Sequence, residues 1–197
     1  MRYKKLTVEM HDFPKRLNRI IKIREDVDLF TLGTILVTVL GGTFEHSFLF
    51  ETKTREYMPE SFEDLFNEKR EVFMTDYHLG DLGNRFKMIY DTGEGWTFNI
   101  KVSTRIYDIK SRKFAFLVSG VGQGIWEDNI STLWAYLDGK FGPDTSTFDS
   151  DGYALPWNHV INCLGDFDKP LDIDEINQSL HDDILYSLDQ LEENGVF

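Results

Sequence analysis

The stretch of sequence that decides the fold is Arg85–Val102, RFKMIYDTGEGWTFNIKV. Apolar residues alternate with polar ones on both sides of the short segment Asp91–Gly95, DTGEG. Such alternation predicts two strands that each bury one face, and the glycines between them allow the positive φ angles that a tight reversal needs. We therefore expect an antiparallel hairpin whose apolar face packs against other elements.

The flanking segments predict a sheet with helices. Further strands are expected at Leu6–Met10, Arg19–Arg24, Thr43–Phe50 and Phe114–Ser119. Asp28 occupies the position of a helix N-cap, and apolar residues at helical spacing run from Leu29 to Leu40 before Gly41. Because nearly every face of this segment is apolar or neutral, we expect a covered core helix.

The second half of the chain predicts less regular structure. Short helices are expected at Ser61–Phe66 and Leu133–Leu137, and residues 138–170 are expected to form an irregular excursion anchored by Tyr153, Leu155, Trp157 and Ile161. Residues 172–194 predict an amphipathic C-terminal helix striped by apolar residues from Ile173 to Leu191. Together these patterns predict a single α+β domain over residues 1–197. Its mainly antiparallel twisted sheet would carry an N-terminal core helix, short helices and the C-terminal helix packed on it.

Composition limits the classes of protein to consider. A hydrophobic content of 41% favours a packed globule over a disordered chain, and the single Cys163 excludes an intramolecular disulfide. The start of the chain has no secretory signal, and the longest uncharged run, Leu29–Phe44, is too short and too polar to cross a bilayer. The sequence thus predicts a cytoplasmic protein without membrane contact, either a monomer or a homodimer.

Charge is unevenly distributed along the chain. The net charge is −13, yet residues 1–24 carry eight Lys/Arg and two Asp/Glu, while residues 144–197 carry thirteen Asp/Glu and Lys169 alone. Overall acidity makes nucleic-acid binding unlikely, because phosphate backbones are repelled. The unevenness leaves two interpretations open, either that both ends are solvated surfaces or that the basic start contacts an anionic partner through Lys15, Arg16 and Arg19.

Known catalytic and cofactor motifs are absent. Gly120, Gly122 and Gly124 follow a predicted strand, but a dinucleotide fingerprint needs its third glycine where Ile125 stands. The five histidines show no metalloprotease spacing, and no nucleophile elbow or P-loop occurs. Motifs therefore assign no catalytic residue, no metal ligand and no cofactor.

Acidic and aromatic residues cluster at the predicted ends of elements. The turn 91–95 and the loop 120–129 would meet at one edge of the sheet, which makes a candidate binding site of His46, Tyr90, Asp91, Glu94, Trp96, Trp126, Glu127 and Asp128. Carboxylates beside aromatic rings suit a bound cation or an acid/base pair. The competing interpretation is that the carboxylates only solvate turns and the aromatics only fill the core.

These residues resemble a known family. Tyr90–Trp96, YDTGEGW, is similar to the Tyr-Asp-Phe-Gly-Asp-x-Trp signature of the plasmid pRi ORF-three-like proteins, some of which are labelled insertion-element passenger proteins of a TnpR family. Further similar pieces follow in the same order, at Asp28–Leu29, at Gly122 with Gly124, at Glu127–Asp128 and at Ile173–Leu180. Thr92 departs from the signature, since an aromatic is expected there. The resemblance implies an α+β domain with an antiparallel sheet and no particular activity.

Three functions from different classes follow as hypotheses. The first is a non-catalytic binding module for an unknown protein or small molecule, with its site at the turn 91–95 and the loop 120–129. The second is a metal-dependent hydrolase that uses Asp91, Glu94, Glu127, Asp128 and His46. The third is a nucleic-acid accessory protein of a mobile element that acts through residues 2–24. The resolvase activity that the TnpR label suggests is not expected, because the first serine, Ser47, falls on a predicted strand.

Overall fold

A computed structural model of the chain describes residues 1–59, 71–142 and 154–193, so the helix expected at Ser61–Phe66 lies outside the described residues. The described chain forms one eight-stranded sheet: β1 Arg2–Met10, β2 Asn18–Arg24, β3 Phe48–Glu51, β4 Glu56–Met58, β5 Glu71–Phe73, β6 Arg85–Tyr90, β7 Trp96–Asp108 and β8 Ala115–Val121. The helices are α1 Leu29–Leu40, α2 Ile130–Leu137, α3 Trp157–Phe167 and α4 Ile173–Glu193. The strand order is β5-β4-β3-β6-β7-β1-β2-β8, antiparallel except between β4 and β5. The predicted α+β class is confirmed.

The central hairpin forms as the alternation predicts. β6 and β7 pair antiparallel up to Tyr90 opposite Trp96, and β7 then continues along β1. The alternate residues Met88, Tyr90, Trp96 and Phe98 are buried, whereas the residues between them reach the opposite face. One face of the sheet therefore belongs to the core.

Helix α1 covers that inner face. Asp28 caps it by accepting a hydrogen bond from the Thr31 amide at 2.7 Å, and Gly41 ends it in the left-handed conformation with φ of 77°. Its apolar residues are buried on nearly every side. The prediction of a covered core helix is confirmed.

Helix α4 protects the edge strand β8. The side-chain amide of Asn177 accepts a hydrogen bond from the Leu117 amide at 2.7 Å and donates one to the Leu117 carbonyl at 3.0 Å, as a neighbouring strand would. Leu180 and Ile184 on the same helix are buried in the core. The described part of the predicted stripe thus docks on its own domain. No helix in the described ranges combines the length and apolar character needed to cross a membrane.

Two local predictions are wrong. The strand expected from Thr43 begins only at Phe48, because Phe44 takes a φ of 65° that breaks the extended chain and leaves His46 in a bend. The excursion over 138–170 contains helix α3, which buries Val160, Leu164 and Phe167, while Trp157 and Ile161, expected as anchors, are 42% and 44% exposed. Tyr153 lies outside the described residues.

Arg19 joins the end of α1 to the loop after β8. Its fully buried guanidinium donates to the carbonyl of Val39 in the last turn of α1, to that of Val121 at 2.8 Å and to that of Gln123 at 3.0 Å. Burial lowers the pKa of Arg19 to about 10, so the side chain stays charged at neutral pH. The carbonyl dipoles at the helix C-terminus offset part of the desolvation of this charge.

Replacing Arg19 with Lys should destabilise the fold. A lysine keeps the charge but cannot present donors in a planar fork to several carbonyls at once, so we expect a loss of about 2–4 kcal/mol in the free energy of unfolding. Urea denaturation measures this loss. Arg16→Lys is the control, because Arg16 forms an exposed ion pair with Asp168 and should lose less than about 1 kcal/mol. Equal losses in the two variants would contradict the role given to Arg19.

Candidate functional site

Three segments meet beside the end of α1: the bend that follows the helix, the turn 91–95 and the loop 120–129. The loop reaches this place through a close backbone contact, in which the Ile125 amide donates to the Leu40 carbonyl at 2.7 Å. A Cβ atom on Gly124 would lie 2.1 Å from that carbonyl oxygen, and its φ of 139° also favours glycine. Gly124 therefore serves the close packing of this loop on α1.

Asp91 lies at the centre of the site. It is 5% exposed and has a φ of 52°, which Asp tolerates better than most residues. Its Oδ1 accepts hydrogen bonds from the Gly93 amide at 3.0 Å and the Glu94 amide at 3.2 Å, which fixes the turn. Its Oδ2 is buried and has no hydrogen-bond partner.

Glu127 joins two of the segments. Its Oε1 accepts hydrogen bonds from the Tyr90 hydroxyl at 2.7 Å, the Thr43 amide at 2.8 Å and the Thr43 hydroxyl at 3.2 Å. Burial, followed by the hydrogen bond to Glu127, raises the pKa of the Tyr90 phenol well above its usual range, so Tyr90 remains a donor. The second oxygen, Oε2, is buried without a partner.

His46 completes the group from the bend after α1. Its Nδ1 lies 3.8 Å from Asp91 Oδ1, and its Nε2 lies 3.3 Å from Asp128 Oδ1. The angle of the second contact does not meet hydrogen-bond geometry, so Nε2 has no hydrogen-bond partner. The imidazole packs edge-on against the Tyr90 ring and is 31% exposed, which leaves a path from solvent.

Unpartnered buried atoms concentrate here. Among the described residues, the buried side-chain nitrogens and oxygens without a hydrogen-bond partner are His46 Nε2, Asp91 Oδ2, Trp96 Nε1 and Glu127 Oε2. All of them belong to residues that the sequence proposed for the site. Buried polar atoms are normally satisfied, so an accumulation in one cluster requires an explanation, such as a bound water or ion.

Backbone strain concentrates here as well. Phe44, Asp91 and Asp128 are the non-glycine residues with positive φ in the described chain, and they flank the cluster from its three segments. Such conformations persist where surrounding contacts impose them, and they recur at ligand sites.

The geometry divides the predicted residues into different roles. Ligand atoms of His46, Asp91 and Glu127 lie within 4.8 Å of one another, and those of Glu45, His46 and Asp128 form a second such group. Glu94 is directed elsewhere, to the Ile130 amide at the start of α2, at 2.7 Å. Trp126 packs partly buried against the core, and Trp96 is buried and stacked on Phe98.

Sequence reasoning missed two neighbours of the site. Thr43 holds Glu127, and Glu45 adds a carboxylate beside His46. Both lie in the segment that was predicted as a strand. The paired glycines Gly41 and Gly42, which end α1 and release the chain into a bend, are the signal that would have pointed to them.

Replacing Glu94 with Ala should weaken the start of α2 without disturbing the cluster. The carboxylate satisfies a free amide at a helix N-terminus, so its loss should lower the free energy of unfolding by about 1 kcal/mol. Urea denaturation measures the loss in the free energy of unfolding. Faster hydrogen exchange at the Ile130 amide would show that the loss arises at the start of α2. Thr92→Ala, exposed in the same turn, should change stability by less than about 0.5 kcal/mol. Unchanged exchange at Ile130 would refute the capping role.

Comparison with known proteins agrees with the fold. No protein with curated annotation matches the chain. Among solved structures, the crystal structure of a protein of unknown function, MM3350 from Methanosarcina mazei Go1, is similar with a TM-score of 0.68. The two chains share 15% sequence identity, and the similarity covers 89% of this chain and 96% of the other. The model of the plasmid pRiA4b ORF-3-like proteins matches residues 2–138, and the chain therefore belongs to the plasmid pRiA4b ORF-3-like family.

Proposed function

We propose that this protein is a binding module for a divalent transition-metal ion, held by His46, Asp91 and Glu127. The observation that carries the proposal is that these three residues offer ligand atoms within 4.8 Å of one another, while Asp91 and Glu127 each keep a buried oxygen without a hydrogen-bond partner. Asp91 is the firmest of the three, because it is nine-tenths buried and its other oxygen already fixes the turn. A cation would satisfy the free oxygens together.

Electrostatics favours a cation at this place. Two carboxylates within 4.8 Å of each other repel by at least about 3 kcal/mol at an effective dielectric constant of about 20. The neighbouring Tyr90 hydroxyl and backbone amides offset part of this repulsion as hydrogen-bond donors. A divalent ion between the carboxylates would turn the repulsion into attraction.

The donor set narrows the choice of metal. An imidazole with carboxylates suits Zn²⁺ or Mn²⁺ better than Ca²⁺, which prefers six or more oxygen ligands. Ligand atoms at about 2.1 Å from a tetrahedral ion lie about 3.4 Å apart, so the side chains would close in by no more than about 1.4 Å on binding. Asp128 and Glu45 lie within reach as further ligands or as partners of the imidazole.

Isothermal titration calorimetry with ZnCl₂, MnCl₂ and CaCl₂ tests the proposal. Asp91→Asn and Glu127→Gln each keep the oxygen that accepts the structural hydrogen bonds. Each replaces the unpartnered oxygen with an amide NH₂ group, which cannot bind a cation. Each should weaken Zn²⁺ or Mn²⁺ binding by more than about 100-fold, since even changes around the ligands weaken binding by about 10–100-fold. In thermal denaturation, an ion at a hundred times its dissociation constant should add about 2.7 kcal/mol to wild-type stability.

Glu94→Gln is the matched control. It removes the same charge from the same turn, but Glu94 is directed to Ile130 and should not influence metal affinity. Wild-type protein that binds neither ion, or a Glu94→Gln variant that loses affinity as Asp91→Asn does, would contradict the proposed site.

A metal-dependent hydrolase is the second candidate, and one observation favours it. His46, Asp91 and Glu127 offer three ligands, the number at which catalytic metal sites keep a position open for water. Hydrolysis of bis-p-nitrophenyl phosphate and p-nitrophenyl acetate by the metal-loaded protein tests this candidate. Turnover that disappears in Asp91→Asn would support it, and metal binding without turnover would favour the binding module.

A further inference from the structure

The fold separates charge in a way that the linear sequence conceals. Strand alternation places one set of residues of β1, β2, β3, β6 and β7 on the sheet face opposite α1. The Lys and Arg residues on this outer face are Lys5, Lys22, Arg24, Arg85, Lys87, Lys101 and Arg105, against Glu9 and Glu51, with Glu56 and Glu71 on the same face of the edge strands β4 and β5. In a chain with a net charge of −13, this surface is locally basic.

Five of these cations have no acidic partner among the described residues. Arg24 pairs with Asp26 at 2.7 Å and Lys87 with Glu51 at 3.5 Å. No described carboxylate lies within salt-bridge distance of the other five, which are Lys5, Lys22, Arg85, Lys101 and Arg105.

Four of these five cations form two like-charged pairs. Lys5 lies directly opposite Lys22 across β1 and β2, and Arg85 lies directly opposite Lys101 across β6 and β7. Like charges at directly opposed positions destabilise a sheet. A bound anion that touches both members of each pair would remove this repulsion.

The pairs lie on a diagonal across four adjacent strands, β6, β7, β1 and β2. At about 4.8 Å between strands, the backbone positions span about 14 Å. One phosphate group is too small to reach all four side chains, whereas successive phosphates of an extended strand can. The open groove over β6 and β7, with a volume of about 500 Å³, lies at one end of this diagonal. Its charged lining consists of the four cations Lys53, Arg85, Lys87 and Lys101 and the two carboxylates Glu9 and Glu51.

Aromatic rings accompany the cations at the other end. The ammonium of Lys22 lies 5.1 Å from the centre of the Tyr107 ring, and Phe116 stands opposite Lys22 across β2 and β8. Cations along a surface with neighbouring rings are the combination that binds unpaired nucleotides. The paired and stacked bases of a duplex would not be available to stack on these rings.

We propose that the outer face of the sheet binds single-stranded nucleic acid along the track Arg85–Lys101–Lys5–Lys22. This placement shares Lys5 and Lys22 with the basic start expected from the sequence, but it leaves out Arg16 and Arg19, because Arg19 is fully buried and Arg16 pairs with Asp168. It also stands independently of the metal site, which lies on the opposite side of the sheet. Overall acidity then restricts binding to this face instead of preventing it.

Fluorescence anisotropy with a labelled oligothymidylate of about 15 nucleotides tests the proposal at several salt concentrations. Arg85→Gln with Lys101→Gln, and separately Lys5→Gln with Lys22→Gln, should each lower the salt slope of log K by about 1.4, the value for two phosphate contacts of a single strand. At about 0.1 M salt each double variant should bind about 25-fold more weakly. Thermal denaturation should show both variants as stable as the wild type or more so, because each loses a like-charged pair.

Lys15→Gln with Lys110→Gln is the control, with the same charge change at exposed loop positions away from the track. It should leave affinity and salt slope within about twofold of the wild type. The proposal would be overturned if the wild type did not bind the oligonucleotide at low salt, or if the control lost as much affinity as the two double variants. It would also be overturned if ATP, duplex DNA or poly-glutamate displaced the labelled oligonucleotide as well as unlabelled oligothymidylate does.

Discussion

The candidate site depends on the contacts that hold the carboxyl-terminal end of α1 against the loop 120–129. The buried Arg19 guanidinium binds a carbonyl of the last helical turn and two carbonyls of the loop after β8. The backbone contact at Gly124 joins the same two segments. These interactions place Glu127 against Tyr90, and the hairpin turn places Asp91 beside them. A buried charge thus positions the carboxylates of the cluster.

Much of this architecture follows from short-range rules. The alternation of apolar and polar residues was sufficient to predict the β6–β7 hairpin. Its inner residues must all be buried on the same face, and the turn then fixes the register of the two strands. Asp28 and Gly41 marked both ends of α1, since each satisfies groups that the helix itself cannot. The acidic and aromatic residues at the ends of elements were predicted as a candidate site for a similar reason, as strand ends of one sheet edge converge.

Other features depend on tertiary structure and have no local signal. The left-handed conformation of Phe44 shortens β3, and nothing in the identity of a phenylalanine predicts it. Glu94 and Glu127 look equivalent in the sequence, yet one caps α2 and the other joins the cluster. The direction of a side chain on a turn depends on which segment packs there. Counting charges along the chain could not predict the basic outer face of the sheet. Adjacent strand residues such as Lys5 and Leu6 point to opposite faces, which such a count does not separate.

The central claim is that His46, Asp91 and Glu127 hold one metal ion. Anomalous diffraction at the zinc edge, from crystals grown with ZnCl₂, tests it most directly. The account predicts one strong peak among these three side chains, with the unpartnered Asp91 and Glu127 oxygens about 2.0–2.2 Å from the ion. A cluster occupied only by water, or a zinc peak elsewhere on the protein with this cluster empty, would contradict the account.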